Sequence, residues 1–334
     1  MARIVPATKE AIMEAASIIR NGGVVAFPTE TVYGLGANAL DADAVARIYA
    51  AKGRPASNPV IVHIADTAQL RQIAHECPQA AKLAYEFWPG PLTLVLPRRT
   101  SVPDIVTAGG ETVGVRMPRH KLALALIRAS RVPIAAPSAN RSEHISPTLA
   151  EHVAESLGDH VDLIIDGGPC EVGLESTVLD LASASPRILR PGMIGAAEIE
   201  AILGFKLNET AIDSGDTTDD EPARSPGQGL RHYAPKRPVE VVPTRVLWSY
   251  LRARNLHAAY IIHTHPPAFV EIGGLPHVML PNDPAGYAAG LYDALHKLDN
   301  ISHHEVTSIV VEQVSDGADW DAIRDRLKRA SVPA

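Results

Sequence analysis

The chain has 334 residues, of which 46% are hydrophobic, and a formal net charge of -7 at pH 7. This length suits two domains, each with enough apolar residues for a core. The negative charge argues against wholesale electrostatic binding of nucleic acid, although it leaves room for a local basic cleft. Cys77 and Cys170 are too few for a disulfide framework and lack metal-ligand spacing. Their number predicts a reducing compartment.

The N-terminal residues, MARIVPATKE, lack the apolar core of a signal peptide. No apolar run in the sequence reaches the length needed to span a bilayer. We therefore expect a cytoplasmic protein without a membrane partner.

Hydrophobic periodicity in the first 200 residues predicts alternating helices and strands. The segment 8–20 is typical of an amphipathic helix, 24–27 of a buried strand that Pro28 ends, and 42–51 of a second helix stopped by Gly53. Further predicted helices are 67–74, 78–87, 120–130 and 195–203, and further predicted strands are 60–64, 92–96, 111–117, 162–168, 173–181 and 187–190.

The segment 208–229 is rich in Asp, Thr, Ser and Gly and has no apolar periodicity, so we interpret it as a linker. Strands and helices alternate again beyond it. The predicted strands are 239–242, 259–263, 277–280 and 308–313, and the predicted helices are 245–255, 285–298 and 320–330. This order predicts a small α/β domain with a mainly parallel sheet.

The segment 28–64 carries more polar side chains than a core needs. Lys52 and Arg54 flank Gly53, and two fixed cations beside threonine hydroxyls suit phosphate and carboxylate groups. The alternative is a solvated helix C-terminus favoured by the helix dipole. Gly34-x-Gly36-x-x-Ala39 also resembles a dinucleotide fingerprint, but it follows a polar loop where the fingerprint requires a strand.

Other polar positions fall near predicted strand ends. Alternation places Thr112 and Arg116 on one face of a strand, and Arg190 ends another. Ser138, Asn140 and Ser146 suit helix caps and turns as well as a site. The sequence has no G-x-x-x-x-G-K-[ST] loop, no G-x-S-x-G elbow and no H-E-x-x-H motif. A basic pocket rich in hydroxyl groups remains.

Several motifs, in order, closely resemble the threonylcarbamoyl-AMP synthase family in its long, two-domain form. They are PTETVYGLG at 28–36, KGRP at 52–55 with Asn58-Pro59 and His63, PGPLT at 89–93, VRMP at 115–118, PSAN at 137–140, and SPG at 225–227 with RHYAP at 231–235. The resemblance implies a twisted, mixed β-sheet flanked by helices (YrdC-like) and a smaller Rossmann-like α/β domain. We expect a catalytic domain at 1–207, a linker that closes over the active site at 208–237, and a C-terminal domain at 238–334.

The resemblance implies a reaction in which L-threonine, bicarbonate and ATP give L-threonylcarbamoyl-AMP and pyrophosphate. Partner proteins then transfer the threonylcarbamoyl group to the adenosine next to the anticodon of tRNA. By similarity, L-threonine is assigned to Thr31, His63, Arg116, Ala136 and Ser176. ATP is assigned to Arg54, Asn58, Thr112, Ser138, Asn140, Ser146, Arg190 and Tyr233. Lys52 and Arg54 are assigned to catalysis through charge stabilisation.

Phosphoryl transfer of this kind needs positioning and electrostatic stabilisation more than a covalent nucleophile. That requirement agrees with a site of arginines and a lysine without a catalytic triad. We expect Mg2+ to bridge the ATP phosphates, but we assign no residue of the chain to it. Two alternatives stay open: a module that binds tRNA or double-stranded RNA, and a dinucleotide-dependent oxidoreductase built on Gly34 and Gly36.

Overall fold

The computed structural model describes residues 2–208, 232–253, 255–268, 270, 272–302 and 305–333. These residues form two compact units. The first unit comprises 2–142, 147–171 and 175–208, and the second comprises Glu143–Ser146, Val172–Leu174 and the described residues from 232 onward. The predicted division at 1–207, 208–237 and 238–334 stays a prediction, and residues 209–231 of its linker lie outside the described residues.

The first unit alternates helices and strands along the chain. Its helices are α1 Lys9–Arg20, α2 Ala42–Lys52, α3 Thr67–Ile73, α4 Pro78–Phe87, α5 Asp104–Thr107, α6 Lys121–Ser130, α7 Ala150–Leu157 and α8 Ala196–Leu203, with a 3-10 turn at Gly158–His160. Its strands are β1 Ile4–Pro6, β2 Val25–Phe27, β3 Gly34–Asn38, β4 Val62–His63, β5 Leu92–Pro97, β6 Thr112–Arg116, β7 Ile134–Ala135, β8 Leu163–Asp166, β9 Thr177–Asp180 and β10 Arg187–Arg190.

These strands form one sheet in the order β1-β8-β2-β3-β7-β4-β6-β5-β9-β10. The sheet is mixed, since β5 pairs antiparallel with β6 and parallel with β9. Successive residues of β2 contribute to different cores: Ala26 to one cluster with α2, α4 and α8, and Val25 and Phe27 to another with α1 and α6. Helices therefore cover both faces of the sheet, and the predicted fold class is confirmed.

Local capping sets the ends of the helix that precedes the lysine-arginine pair. Asp41 caps α2 by accepting from the backbone N–H groups of Asp43 and Ala44. Gly53 ends the helix in the left-handed conformation with φ of 60°, which a residue without a Cβ adopts at little cost. The chain then leaves the helix with Lys52 on its last turn and Arg54 just beyond it.

The second unit is built on a parallel sheet. Its strands are β11 Val239–Val242, β12 Ala258–Ile262, β13 His277–Met279 and β14 Ser308–Glu312, in the order β11-β14-β12-β13 with every pair parallel. Its helices are α9 Thr244–Arg252, α10 Pro284–Asp299 and α11 Asp321–Ala330, with a 3-10 turn at Ala318–Trp320. The predicted parallel α/β arrangement is confirmed.

The structure has elements that periodicity did not indicate. They are β1, β3, β7, α5 and α7. Position 36 of β3 requires glycine, because a Cβ there would lie 2.6 Å from the Phe27 ring and 2.8 Å from the Ile134 side chain. Across the part of the chain that the structure describes, no helix is both long and apolar enough to cross a membrane.

Candidate active site

Site residues of the first unit lie in one row across neighbouring strands. His63 on β4 is in register with Arg116 on β6, and Thr93 on β5 lies one residue beyond the Leu94–Val115 pair. Ser176 immediately precedes β9, and Arg190 ends β10. Because these strands are adjacent in the sheet, the row brings together residues from distant parts of the sequence.

Arg116 is the centre of the first group in this row. Its side chain is 4% exposed, and it donates from Nη1 to Thr31 Oγ1 at 2.8 Å and from Nε to the Gly90 carbonyl at 3.2 Å. Its Nη2 lies 2.8 Å from Oε1 of Glu30, yet within the described residues neither atom has a partner in hydrogen-bonding geometry. We interpret this contact as charge pairing that leaves hydrogen-bonding capacity for a ligand.

The Arg116 charge also controls the ionisation of Glu30. Burial alone would raise the pKa of this carboxyl, but the Arg116 charge, together with the nearby backbone N–H groups of Arg119 and Glu30, outweighs burial and holds the pKa below its usual value. Thr31 is fixed beside the pair, because its hydroxyl lies 2.8 Å from that of Thr29. The group therefore offers a cation, a carboxylate and a hydroxyl within a buried space.

His63 is buried beside this pair. Burial, and then the Arg116 charge, lower its pKa to about 3, so the imidazole is neutral near pH 7. Its Nδ1 has no hydrogen-bond partner among the residues that the structure describes. A neutral imidazole with an open ring nitrogen can donate to or accept from a polar ligand.

Lys52 is 3% exposed and is held by two backbone carbonyls. Its Nζ donates to the Ser138 carbonyl at 2.6 Å and to the Asn140 carbonyl. Burial, followed by the Arg54 charge, lowers the pKa of Lys52 well below its usual value, while Glu175 opposes that shift. An anion beside this amine would favour its charged form, and the protonated amine would have a third donor for that anion.

Arg54 is 8% exposed and is held close to its own turn. Nη2 donates to Asn58 Oδ1 at 2.6 Å and to the Pro59 carbonyl at 2.7 Å, and Nε donates to the Asn58 carbonyl at 2.9 Å. These bonds position the guanidinium before any ligand binds. Asn58, which we assigned to ATP by similarity, is in this structure the residue that orients Arg54.

Ser176 connects β5 and β10. Its hydroxyl lies 2.7 Å from that of Thr93, and Arg190 donates from Nη2 to Ser176 Oγ at 3.2 Å and to its carbonyl at 3.0 Å. All three side chains are buried. The two predicted site residues are thus in direct contact with each other, and Thr93 fixes the serine rotamer.

The remaining predicted residues of the first unit do not form a single group of contacting side chains. Ala136 is buried and bonds through its N–H to the Ile61 carbonyl, and Ser138 forms a bridge with Gly34. The Asn140 side chain donates to the Arg141 carbonyl at 2.8 Å. Thr112 is half-buried at the opposite end of β6 from Arg116, so the structure does not place it with the arginine.

Ser146 and Tyr233 belong to the second unit. Ser146 is buried, and its carbonyl accepts from Nε2 of His296 at 3.2 Å. Tyr233 is 1% exposed, has φ of 60°, and lies 4.9 Å below the Arg326 guanidinium. The sequence prediction that Tyr233 covers the nucleotide stays a prediction, and Arg231 of the same motif lies outside the described residues.

Sequence reasoning missed three buried polar residues: Glu30, Thr93 and Glu175. Glu30 lies inside the PTET motif and Glu175 directly precedes Ser176, so an acid next to each predicted ligand residue was an available signal. Thr93 had a weaker signal, since a threonine in a strand of apolar residues is common. The contact of Glu30 with Arg116, that of Thr93 with Ser176 and the electrostatic effect of Glu175 on Lys52 could be found only once the sheet order was known.

The described residues contain no group of three or more His, Cys, Asp or Glu side chains arranged to hold a metal ion. They therefore do not fit a protein-bound Mg2+.

Family models match the chain along most of its length. The model described as Telomere recombination (Sua5_yciO_yrdC) matches residues 17–192. The model described as Threonylcarbamoyl-AMP synthase, C-terminal domain (Sua5_C), matches residues 194–332.

Individual relatives and solved structures agree with these models. The threonylcarbamoyl-AMP synthase of Bacillus subtilis (strain 168) is 43% identical over 343 residues, which cover 96% of this chain and 92% of that protein. That of Pyrococcus abyssi (strain GE5 / Orsay) is 55% identical over 229 residues, 68% of this chain and 66% of that protein. The crystal structure of P. abyssi Sua5 complexed with L-threonine superposes with a TM-score of 0.87 at 42% identity, covering 99% of this chain and 98% of that one. The chain belongs to the threonylcarbamoyl-AMP synthase family, in its two-domain Sua5 form.

Proposed function

We propose that this protein makes L-threonylcarbamoyl-AMP from L-threonine, bicarbonate and ATP and releases pyrophosphate. The family of the chain supports this function, and one observation about the site carries it. Among the described residues of the first unit, the buried lysine and arginine side chains are Lys52, Arg54, Arg116 and Arg190. Buried cations are costly to hold unless an anion or a dense set of acceptors accompanies them, and all the substrates are anionic or zwitterionic.

Threonine binds, in this proposal, around Arg116. The Arg116 guanidinium suits the substrate carboxylate, and Thr31 and the neutral His63 suit its hydroxyl and amino groups. Glu30 balances the Arg116 charge before the substrate arrives. Ala136 and Ser176 complete the threonine site as it was assigned by similarity.

The first chemical step is formation of the carbamate. The threonine ammonium loses one proton to solvent, its nitrogen bonds to the carbon of bicarbonate, and the C–OH bond of bicarbonate breaks as the hydroxyl leaves as water with a second proton from the nitrogen. Carbamates revert readily in water, so this step requires a site with restricted solvent access. Side chains that are 1% to 4% exposed, namely Glu30, Thr31, His63 and Arg116, provide such surroundings.

The second step transfers an adenylyl group. A carbamate oxygen bonds to the α-phosphorus of ATP as the bond to pyrophosphate breaks, so negative charge concentrates on the phosphates. Lys52 and Arg54 stabilise that charge, and the preorganised hydrogen bonds of Arg54 mean that little reorganisation is needed. Arg190, Asn58, Thr112, Ser138, Asn140 and Ser146 bind ATP in this proposal, with Tyr233 over the nucleotide.

Further parts of the proposal rest on the resemblance. They are Mg2+ delivered with ATP, transfer proteins and direct contact with tRNA downstream, a cytoplasmic location, and the division into domains 1–207 and 238–334 with a closing linker at 208–237.

The test is pyrophosphate release from ATP, measured with and without L-threonine and bicarbonate and with serine as a control substrate. We expect release that requires both threonine and bicarbonate. Arg54→Ala should reduce it strongly, whereas Arg47→Ala on the preceding helix α2 should not, because Arg47 is half-exposed and pairs with Asp162. Release that does not depend on threonine, from folded protein, would contradict the proposal.

A further inference from the structure

The second unit contains two short segments that come from the middle of the sequence, Glu143–Ser146 and Val172–Leu174. One of them carries Ser146, and the other immediately precedes Glu175 and Ser176. Both lie inside the residues matched by the first family model, 17–192. Residues next to proposed ligand contacts thus pack with the C-terminal residues of the chain.

The helix α10 holds these segments through one of its faces. Ala289, Tyr292 and His296 are spaced by three and four residues, so they lie on the same side of the helix. Tyr292 is fully buried and His296 is half-buried. Each of the three positions contacts a different segment that bears on the proposed site.

Ala289 meets Val172–Leu174 at the backbone. A Cβ built on Gly173 would lie 2.6 Å from Cα of Ala289 and would also clash with the Ala288 carbonyl. Gly173 has φ of 76°, a conformation that side chains disfavour. The close approach therefore requires glycine, and it fixes the chain two residues before Glu175.

His296 meets Glu143–Ser146 through a hydrogen bond. Its Nε2 lies 3.2 Å from the Ser146 carbonyl, and a carbonyl can only accept, so Nε2 carries the proton. The same segment is held from its other end by Ala234, whose N–H donates to the Glu143 carbonyl at 2.9 Å and which forms a parallel bridge with His144.

Tyr292 meets the HYAP segment, His232–Pro235. Its ring is stacked on that of Tyr233 with centroids 5.9 Å apart. The Arg326 guanidinium of α11 lies 4.9 Å from the Tyr233 ring, a cation–π distance. Tyr233, which has a positive φ, thus packs against Tyr292 of α10 and Arg326 of α11.

We propose that this face of α10 positions the loops of both substrate sites. His296 acts on the ATP side through Ser146. The close approach of α10 to Gly173 acts on the threonine side through Ser176. The inference rests on the proposed function and adds a role for the C-terminal domain. His296, Gly173 and Tyr292 are positioning residues, because they act through residues proposed to touch the substrates.

The kinetic test separates the two substrates. His296→Ala should raise KM for ATP about 3- to 10-fold, the effect of one lost hydrogen bond, and leave KM for threonine within about twofold. His296→Gln, whose side-chain amide can donate from a similar place, should restore most of the loss. Gly173→Ala should show the opposite pattern, with the larger rise in KM for threonine. Lys297→Ala, exposed on the same helix, is the matched control.

Backbone hydrogen exchange tests the inference without any activity. His296→Ala should speed exchange at 143–146 but not at 172–176, and Gly173→Ala should do the reverse. If His296→Ala matches Lys297→Ala in both measurements, or raises both KM values equally without rescue by glutamine, the positioning role is wrong. Failure of the proposed function would show differently, as a wild-type protein that lacks threonine-dependent pyrophosphate release.

Discussion

The Arg116–Glu30 pair makes one residue responsible for both stability and activity. Both side chains are buried, at 4% and 1% exposure, so removing either leaves an uncompensated charge. We expect Arg116→Met to destabilise the protein by about 3–5 kcal/mol. Urea unfolding would measure this loss, and pyrophosphate release should fall to background because no cation remains for the threonine carboxylate.

A double variant separates the two effects. Glu30→Gln combined with Arg116→Met removes both charges and should recover most of the lost stability. A buried ion pair often stabilises a protein little or no more than neutral side chains of similar size do. Activity should stay absent. A double variant as unstable as Arg116→Met alone would show that the guanidinium contacts with Gly90 and Thr31, and not the charge of Glu30, dominate.

His63 predicts a specific pH dependence of stability. Its native pKa of about 3 lies below the ordinary value of 6.5, so between these values the unfolded chain binds a proton that the native chain does not. Stability from this group is complete above pH 6.5 and is lost as pH falls, by up to about 1.4 kcal/mol per pH unit. Between pH 6 and 4, His63→Gln should reduce the slope of unfolding free energy against pH by the amount that corresponds to about one bound proton. Equal slopes for the two proteins would contradict the assignment.

At the scale of single elements, the sequence predicted helix ends but not the distant residues that pack against them. Gly53 predicted the C-terminal end of α2, and the structure confirms it. The burial of Lys52 could not be predicted, because the carbonyls that hold it lie 86 and 88 residues further along the chain. Motif resemblance identified the lysine where local physics favoured a solvated helix end.

The strand β3 was not predicted from the sequence. In the sequence, Gly34 and Gly36 resembled a dinucleotide fingerprint that follows a polar loop and not a strand. The structure places both in a strand that pairs antiparallel with β2, where Gly36 gives room to the Phe27 ring. The requirement comes from side chains on two neighbouring strands, so local sequence does not contain it. This geometry also removes the basis for the oxidoreductase alternative.

A substitution in β3 tests that explanation. Gly36→Ala should overpack the contact with Phe27 and Ile134 and cost about 1–3 kcal/mol of unfolding free energy. The measurement is the urea midpoint, and Gly273→Ala is the control because a Cβ there meets nothing within 4 Å. A Gly36→Ala protein as stable as wild type would mean that β2 and β7 separate easily, and the close approach would not explain the glycine.

At the scale of the whole molecule, the burial of the four site cations argues against double-stranded RNA binding at the proposed active site. The protein has a net charge of -7, while Lys52, Arg54, Arg116 and Arg190 are at most 8% exposed. Binding to duplex phosphates depends on many accessible cations that displace counterions. These buried side chains can serve a small anion that enters the site, but they cannot line a surface for a duplex.

We therefore expect weak binding to a fluorescent double-stranded RNA, with a dissociation constant above about 10⁻⁴ M at physiological salt, the weak end of non-specific binding. Anisotropy titrations would measure it, with a low-salt titration to show that the assay detects electrostatic contact. Saturating ATP and threonine should leave the result unchanged, because the substrates occupy the buried cations and not the surface. Micromolar binding with a steep salt dependence would instead require a basic face elsewhere on the protein, and Arg54→Ala should then leave RNA affinity intact while it abolishes pyrophosphate release.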